Sequence, residues 1–142
     1  MYDKLNYNLE IYAYDDMISD NMWEDTTRDD TIEILHSFTE EDWQKLFQEL
    51  PTKSTMWQIR LVDCIISEDN QNELKVLLFL ANTNDPVLFA EVIVAIYDFD
   101  LSNIEGLDSL YDKVEKMVPL VPLYRKSVLT DFLEKKNSVR SK

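Results

Sequence analysis

Residues 43–66, WQKLFQELPTKSTMWQIRLVDCII, and residues 74–97, LKVLLFLANTNDPVLFAEVIVAIY, carry the same apolar pattern at an offset of 31 positions. Trp43, Leu46, Phe47 and Leu50 of the first copy fall on Leu74, Leu77, Leu78 and Ala81 of the second. Met56, Trp57, Ile59, Leu61, Val62, Cys64, Ile65 and Ile66 fall on Val87, Leu88, Ala90, Val92, Ile93, Ala95, Ile96 and Tyr97. Each copy is interrupted at the same point, by Pro51 to Ser54 and by Asn82 to Pro86. A repeat of this length, broken once in its middle, is the mark of stacked helix pairs, none of which buries its apolar face alone. The pattern predicts an all-α fold: a short helical-repeat array of about three stacked pairs, preceded by an N-terminal helical segment, in one domain over residues 1–142.

Composition points the same way. One glycine and four prolines in 142 residues leave few positions for the positive φ angles that hairpins and phosphate-cradling loops need. Hydrophobic residues make up 45 %, an ordinary share for a folded chain, so the net charge of −14 does not signal disorder. That charge is uneven. Residues 1–50 hold 14 acids against 3 bases, whereas residues 101–142 hold 6 against 8. Such a field repels nucleic acid and anionic membrane and speeds the encounter with a basic partner. Cys64 stands alone, so no intrachain disulfide can form, and neither a signal-peptide pattern nor a membrane span is legible. A cytoplasmic protein is expected.

Along the chain, residues 1–15 mix helical spacing (Leu5, Leu9, Tyr12) with alternation (Leu5, Tyr7, Leu9, Ile11), and helix is favoured. A second helix is expected from near Asp29 to before Thr39. Thr39 to Asp42 reads as a capping box for a helix ending at Leu50. Ser54 caps the next, with Trp57, Leu61, Cys64 and Ile65 inward. Asn70 to Asn72 cap a third over Glu73 to Ala81, and Asp85 with Pro86 opens an apolar helix over Val87 to Phe99. Asn103 is expected to start a helix that passes through Gly106 and breaks at Pro119 and Pro122. The last runs from Leu123 to Lys135, with Tyr124, Val128, Leu129 and Phe132 inward and Lys126, Lys135 and Lys136 outward; residues 138–142 form a basic, frayed tail.

Catalytic chemistry finds little support. A single histidine, His36, and no Cys-x-x-Cys exclude the common zinc constellations, and Cys64 sits on an apolar stripe without a base beside it. Carboxylate pairs are numerous, but nothing near them supplies the apolar pocket that would separate their pKa values. Residues 15–24 lack the glycine and alternation of a calcium loop. No enzyme, metal or cofactor is expected. Arg60, beside Asp63 and Gln58, reads as a salt-bridge residue or a contact on the inner face of the repeat. The acidic segment with aromatic insertions is the candidate binding site: Tyr12, Tyr14 and Trp23 as anchors among Asp15, Asp16, Asp20, Glu24, Asp25, Asp29 and Asp30. Trp23 and Tyr12 could equally cover the open end of the array, because terminal repeats need atypical covering residues.

The order of DDM and MW within residues 15–23, DTIEIL at 30–35, FTEEDW at 38–43, WQIRL at 57–61 and an apolar helix opened by Asp85 and Pro86 resembles small HEAT-like immunity proteins. These accompany bacterial contact-dependent and polymorphic toxins, and the resemblance covers roughly residues 15–100. It implies a monomeric antitoxin that binds one cognate toxin domain in a 1:1 complex. The toxin is often a nuclease, and the antitoxin blocks its active site or substrate surface; no catalytic residue carries over. If second helices line the concave face, as is usual in helix-pair arrays, Gln58, Asp63, Glu91 and Asp98 join the candidate surface. Two other readings remain open: an acidic HEAT-like adaptor that binds a basic protein, and an acidic mimic of DNA.

Overall fold

The computed structural model describes residues 1–13, 23, 27–66, 70–102 and 104–140, with the backbone alone at 12, 13 and 137–140. The described residues form helices joined by turns, with no strand among them. The α-helices are α1 (Tyr2–Ala13), α2 (Arg28–His36), α3 (Glu40–Glu49), α4 (Thr55–Asp63), α5 (Gln71–Leu80), α6 (Pro86–Ile96), α7 (Leu107–Met117) and α8 (Lys126–Arg140). Short 3-10 turns cover Leu50–Thr52, Val118–Leu120 and Leu123–Arg125. The chain divides into two compact units, Met1–Ile66 and Ser67–Lys142.

The local signals fix the helix starts. Thr39 closes a capping box with Asp42: Asp42 N donates to Thr39 Oγ1 at 3.3 Å, and Thr39 N donates to Asp42 Oδ2 at 3.0 Å. Ser54 accepts from Trp57 N, Asn70 from Glu73 N, and Asp85 from Val87 N and Leu88 N, with Pro86 at the first helical position. Thr39 and Asn70, and Ser54 and Asp85, lie 31 positions apart, so the repeat governs the caps as well as the apolar positions. Burial follows it too. Trp43 and Leu74, Leu46 and Leu77, Leu50 and Ala81, Trp57 and Leu88, Leu61 and Val92, Val62 and Ile93, and Ile65 and Ile96 are all buried.

In the first unit α1 packs against α2, α3 and α4. Its Tyr2, Leu5 and Leu9 face inward, and two asparagines tie it down: Trp57 Nε1 donates to Asn6 Oδ1 at 3.1 Å, and Asn8 Nδ2 to Thr31 Oγ1 at 3.2 Å. Asp42 does double duty, accepting from Tyr2 N at 3.2 Å as well as capping α3. These donors, the Thr39 amide first, hold its carboxyl below the usual carboxylate range. Burial, reinforced by the charges of Glu49, Glu10 and Asp3, pushes the Tyr2 phenol up to about 12.

In the second unit α5 packs directly on α6, and α8 packs on both α6 and α7. Helix α6 buries Leu88, Phe89, Ala90, Val92, Ile93 and Ile96, an apolar surface on most of its sides, which makes it the centre of this unit. The Tyr111 and Phe132 rings meet 5.1 Å apart between α7 and α8.

Three expectations for this unit need correction. Helix α7 starts at Leu107 rather than Asn103, because Gly106 adopts φ +76, a left-handed turn that lies outside any helix. Helix α8 starts at Lys126 and continues to Arg140, because Pro122 leaves Leu123–Arg125 as a separate 3-10 turn with Tyr124 66 % exposed rather than inward. Finally, Lys135 and Lys136 turn in: Lys135 Nζ donates to Tyr97 O and lies 4.0 Å from that ring's centroid, and Lys136 Nζ lies 5.6 Å from that of Tyr111.

Candidate partner-binding surface

Six of the candidate residues, Tyr14, Asp15, Asp16, Asp20, Glu24 and Asp25, lie outside the described residues, as does the side chain of Tyr12. Trp23 is described, and it is fully buried in the first unit. Its Nε1 donates to Asp63 Oδ2 at 2.7 Å, and the Arg60 guanidinium lies 5.5 Å from its ring centroid. Arg28 Nε approaches the same Oδ2 at 3.3 Å and donates to Asp63 O at 3.0 Å. Trp23 and Asp63 therefore meet in one internal constellation, which satisfies the indole N–H where water cannot reach it. With none of its surface accessible, Trp23 offers no face to a partner in this conformation.

The remaining candidates divide by unit. Gln58 Nε2 donates to Leu50 O at 3.0 Å, closing the turn between α3 and α4. Asp29 and Asp30 are exposed in the first turn of α2, where carboxylates suit the positive end of the helix dipole. In the second unit Glu91 takes both ends of the Arg125 guanidinium, Nε to Oε1 at 2.9 Å and Nη2 to Oε2 at 3.0 Å, a bidentate, part-buried pair. Asp98 is exposed just beyond the end of α6.

What the first unit presents is negative charge. Met1–Ile66 contains 15 acids and 5 bases. Four of the five bases make contacts within the unit: Arg28 on Asp63, Lys45 on Asp3 at 3.3 Å at the surface, Lys53 on Glu10 at 3.5 Å, and Arg60 over Trp23. Asp29, Asp30 and Glu33 of α2 and Glu40 and Glu41 of α3 are exposed, and none of them forms an ion pair among the described residues. A cleft of about 310 Å³ runs between α1 and α2, with Lys4 and Asn8 on one wall and Asp30, Glu33 and Ile34 on the other.

Sequence reasoning passed over Tyr7 and Ile11 of α1, which are 66 % and 45 % exposed. Their signal was present: at positions i and i+4 they fall on the helix face opposite Leu5 and Leu9. In the second unit Leu120, Leu123 and Tyr124 are also exposed, at 61 %, 83 % and 66 %, on the two proline-bounded 3-10 turns.

Among the described residues no three of His, Cys, Asp or Glu gather where they could hold a metal ion, and no helix is long and apolar enough to cross a membrane. His36 is exposed in the last turn of α2, and Cys64 is buried at the end of α4. No family model, curated protein or solved structure matches the chain.

Proposed function

We propose that this chain is a HEAT-like immunity protein, a cytoplasmic antitoxin that binds one basic toxin domain of nuclease type as a 1:1 complex. The observation that carries the reading is that four of the five cations of the first unit are engaged by other groups, while Asp29, Asp30, Glu33, Glu40 and Glu41 are exposed without an ion pair among the described residues. A domain that grips RNA or DNA must itself be basic, so carboxylates can occupy the ground that substrate phosphates would take opposite its Lys and Arg. Steric and electrostatic occlusion follows, without any chemistry on the antitoxin. The shared caps and shared buried positions of α3–α4 and α5–α6 support the helical-repeat part of the reading.

A HEAT-like adaptor is the second reading, and the exposed Leu120, Leu123 and Tyr124 favour it by offering a contact of different chemistry from the acidic one. The two readings part on number and tightness of partners. The tagged chain is incubated with lysate of its native host, and retained proteins are identified by mass and assayed for toxicity and nuclease activity before and after mixing. One basic partner whose activity disappears on mixing supports the immunity protein. Several partners, or one whose activity is untouched, supports the adaptor.

A further inference from the structure

We infer that the exposed face of α1 centred on Tyr7 and Ile11 is the contact surface for a basic protein partner, with the α1–α2 cleft beside it receiving a Lys or Arg side chain. The inference rests on the reading that the partner is basic. Interfaces draw most of their energy from a few aromatic and aliphatic anchors surrounded by groups that exclude water and steer the encounter. Trp23, one of the three aromatic anchors expected of the acidic segment, is spent inside the core. Tyr7 is not: two-thirds of it is exposed on a helix held rigidly by Leu5, Leu9 and the Asn6 and Asn8 hydrogen bonds. Ile11 lies one turn further along the same face.

The rim decides what partner this face accepts. Asp30 and Glu33 stand across the cleft on α2 without an ion pair among the described residues, and Asp3, exposed on the same side of α1, is shared with Lys45 at 3.3 Å. The opposing charges at the cleft are Lys4, which is exposed, and the Met1 amine, which is engaged by Asp42. An apolar pair beside this net acidic cleft complements a basic surface with its own apolar centre. The Leu120–Tyr124 turns lack that complement, because Arg125 and Lys126 follow them directly and Glu91 is already bonded to Arg125.

The test uses the isotope-labelled full chain and a synthetic amphipathic peptide of Arg and Leu as the probe. Amide shifts should change around Tyr7, Ile11, Asp30 and Glu33. Tyr7→Ala should weaken binding about tenfold or more, as the loss of an anchor does. Lys4→Gln should tighten it by about twofold, as removal of a like rim charge does. Shifts centred on Leu123, shifts spread evenly over every acid, or an unchanged affinity for Tyr7→Ala would overturn the inference. Its failure is separable from that of the immunity reading. A toxin still neutralised by the Tyr7→Ala chain removes this surface and leaves the reading. A peptide seated on Tyr7, with no toxin neutralised, removes the reading and leaves the surface.

Discussion

In Met1–Ile66 the helices α3 and α4 each pack on α1, whereas in Ser67–Lys142 their counterparts α5 and α6 pack directly on each other. The two pairs share caps, breaks and seven buried positions, but Trp43 and Trp57 stand where the second pair has Leu74 and Leu88. Helix α1 packs on both helices of the first pair, and its Asn6 bonds the Trp57 indole that the second pair lacks. Polar bonding differs as well. The first unit is tied by carboxylates, Asp42 and Asp63, each accepting several donors. The second is tied by cations on helix C-terminal carbonyls: Lys113 Nζ donates to Ala81 O at 2.8 Å at the end of α5, and Lys135 to Tyr97 O at the end of α6. Both lysines suit the negative end of a helix dipole, although burial pushes the Lys113 ammonium below the usual lysine range. The first unit carries 15 acids against 5 bases, four of these bases engaged within the unit, while the second carries 13 against 9.

The three tryptophans all lie in the first unit, so intrinsic fluorescence reports that unit while far-ultraviolet dichroism reports helix throughout. The largest effect should come from Trp23→Ala, which empties a fully buried site and strips Asp63 of its indole donor. It should cost the first unit about 3–5 kcal/mol in denaturant unfolding followed by fluorescence. Glu91→Ala, which leaves Arg125 part-buried without its bidentate partner, should cost about 2 kcal/mol, read by dichroism. The comparison breaks if Glu91→Ala shifts the fluorescence midpoint as far as Trp23→Ala does.

Thr39→Ala removes the capping hydroxyl of α3 and should cost about 1 kcal/mol. Because the Asp42 carboxyl is held low in the folded chain, its contribution is complete above the ordinary carboxylate range and is lost as pH falls through that lowered value. Asp42→Asn should therefore flatten the acid limb of the stability profile of the first unit. Gly106→Ala forces a Cβ into φ +76 where nothing crowds it, so only backbone strain remains, about 1 kcal/mol, again by dichroism. The last effect is absent at neutral pH and is confined to high pH. An unfolded tyrosine ionises near about 10 and Tyr2 near about 12, so the folded state binds the proton more tightly and stability falls as pH rises between them. Tyr2→Phe should remove that decline.

What could be read from sequence was local. Thr39, Ser54, Asn70 and Asp85 bond backbone amides two or three residues away, so residue type and spacing sufficed. Asn103 misled because it has a capping side chain, while the turn is set three residues later by the only glycine in the chain. The burial of Trp23 and the inward turn of Lys135 depend on partners 40 and 38 positions away, which no periodicity encodes. The candidate surface was legible only as charge. Asp63 and Glu91 carry the expected residue type but are bonded internally, whereas Tyr7 was hidden by the alternation that made α1 ambiguous.

If one basic partner is held through the acids of the first unit, as proposed, capture with three baits will show it. The baits are the full chain, the same chain with Asp29→Asn, Asp30→Asn and Glu33→Gln, and the same chain with Asp98→Asn, Asp112→Asn and Glu115→Gln, each offered host lysate at low and high salt. One basic partner should be retained at high salt by the first and third baits and lost from the second. Equal retention by all three baits, or many partners that wash away at high salt, would contradict it.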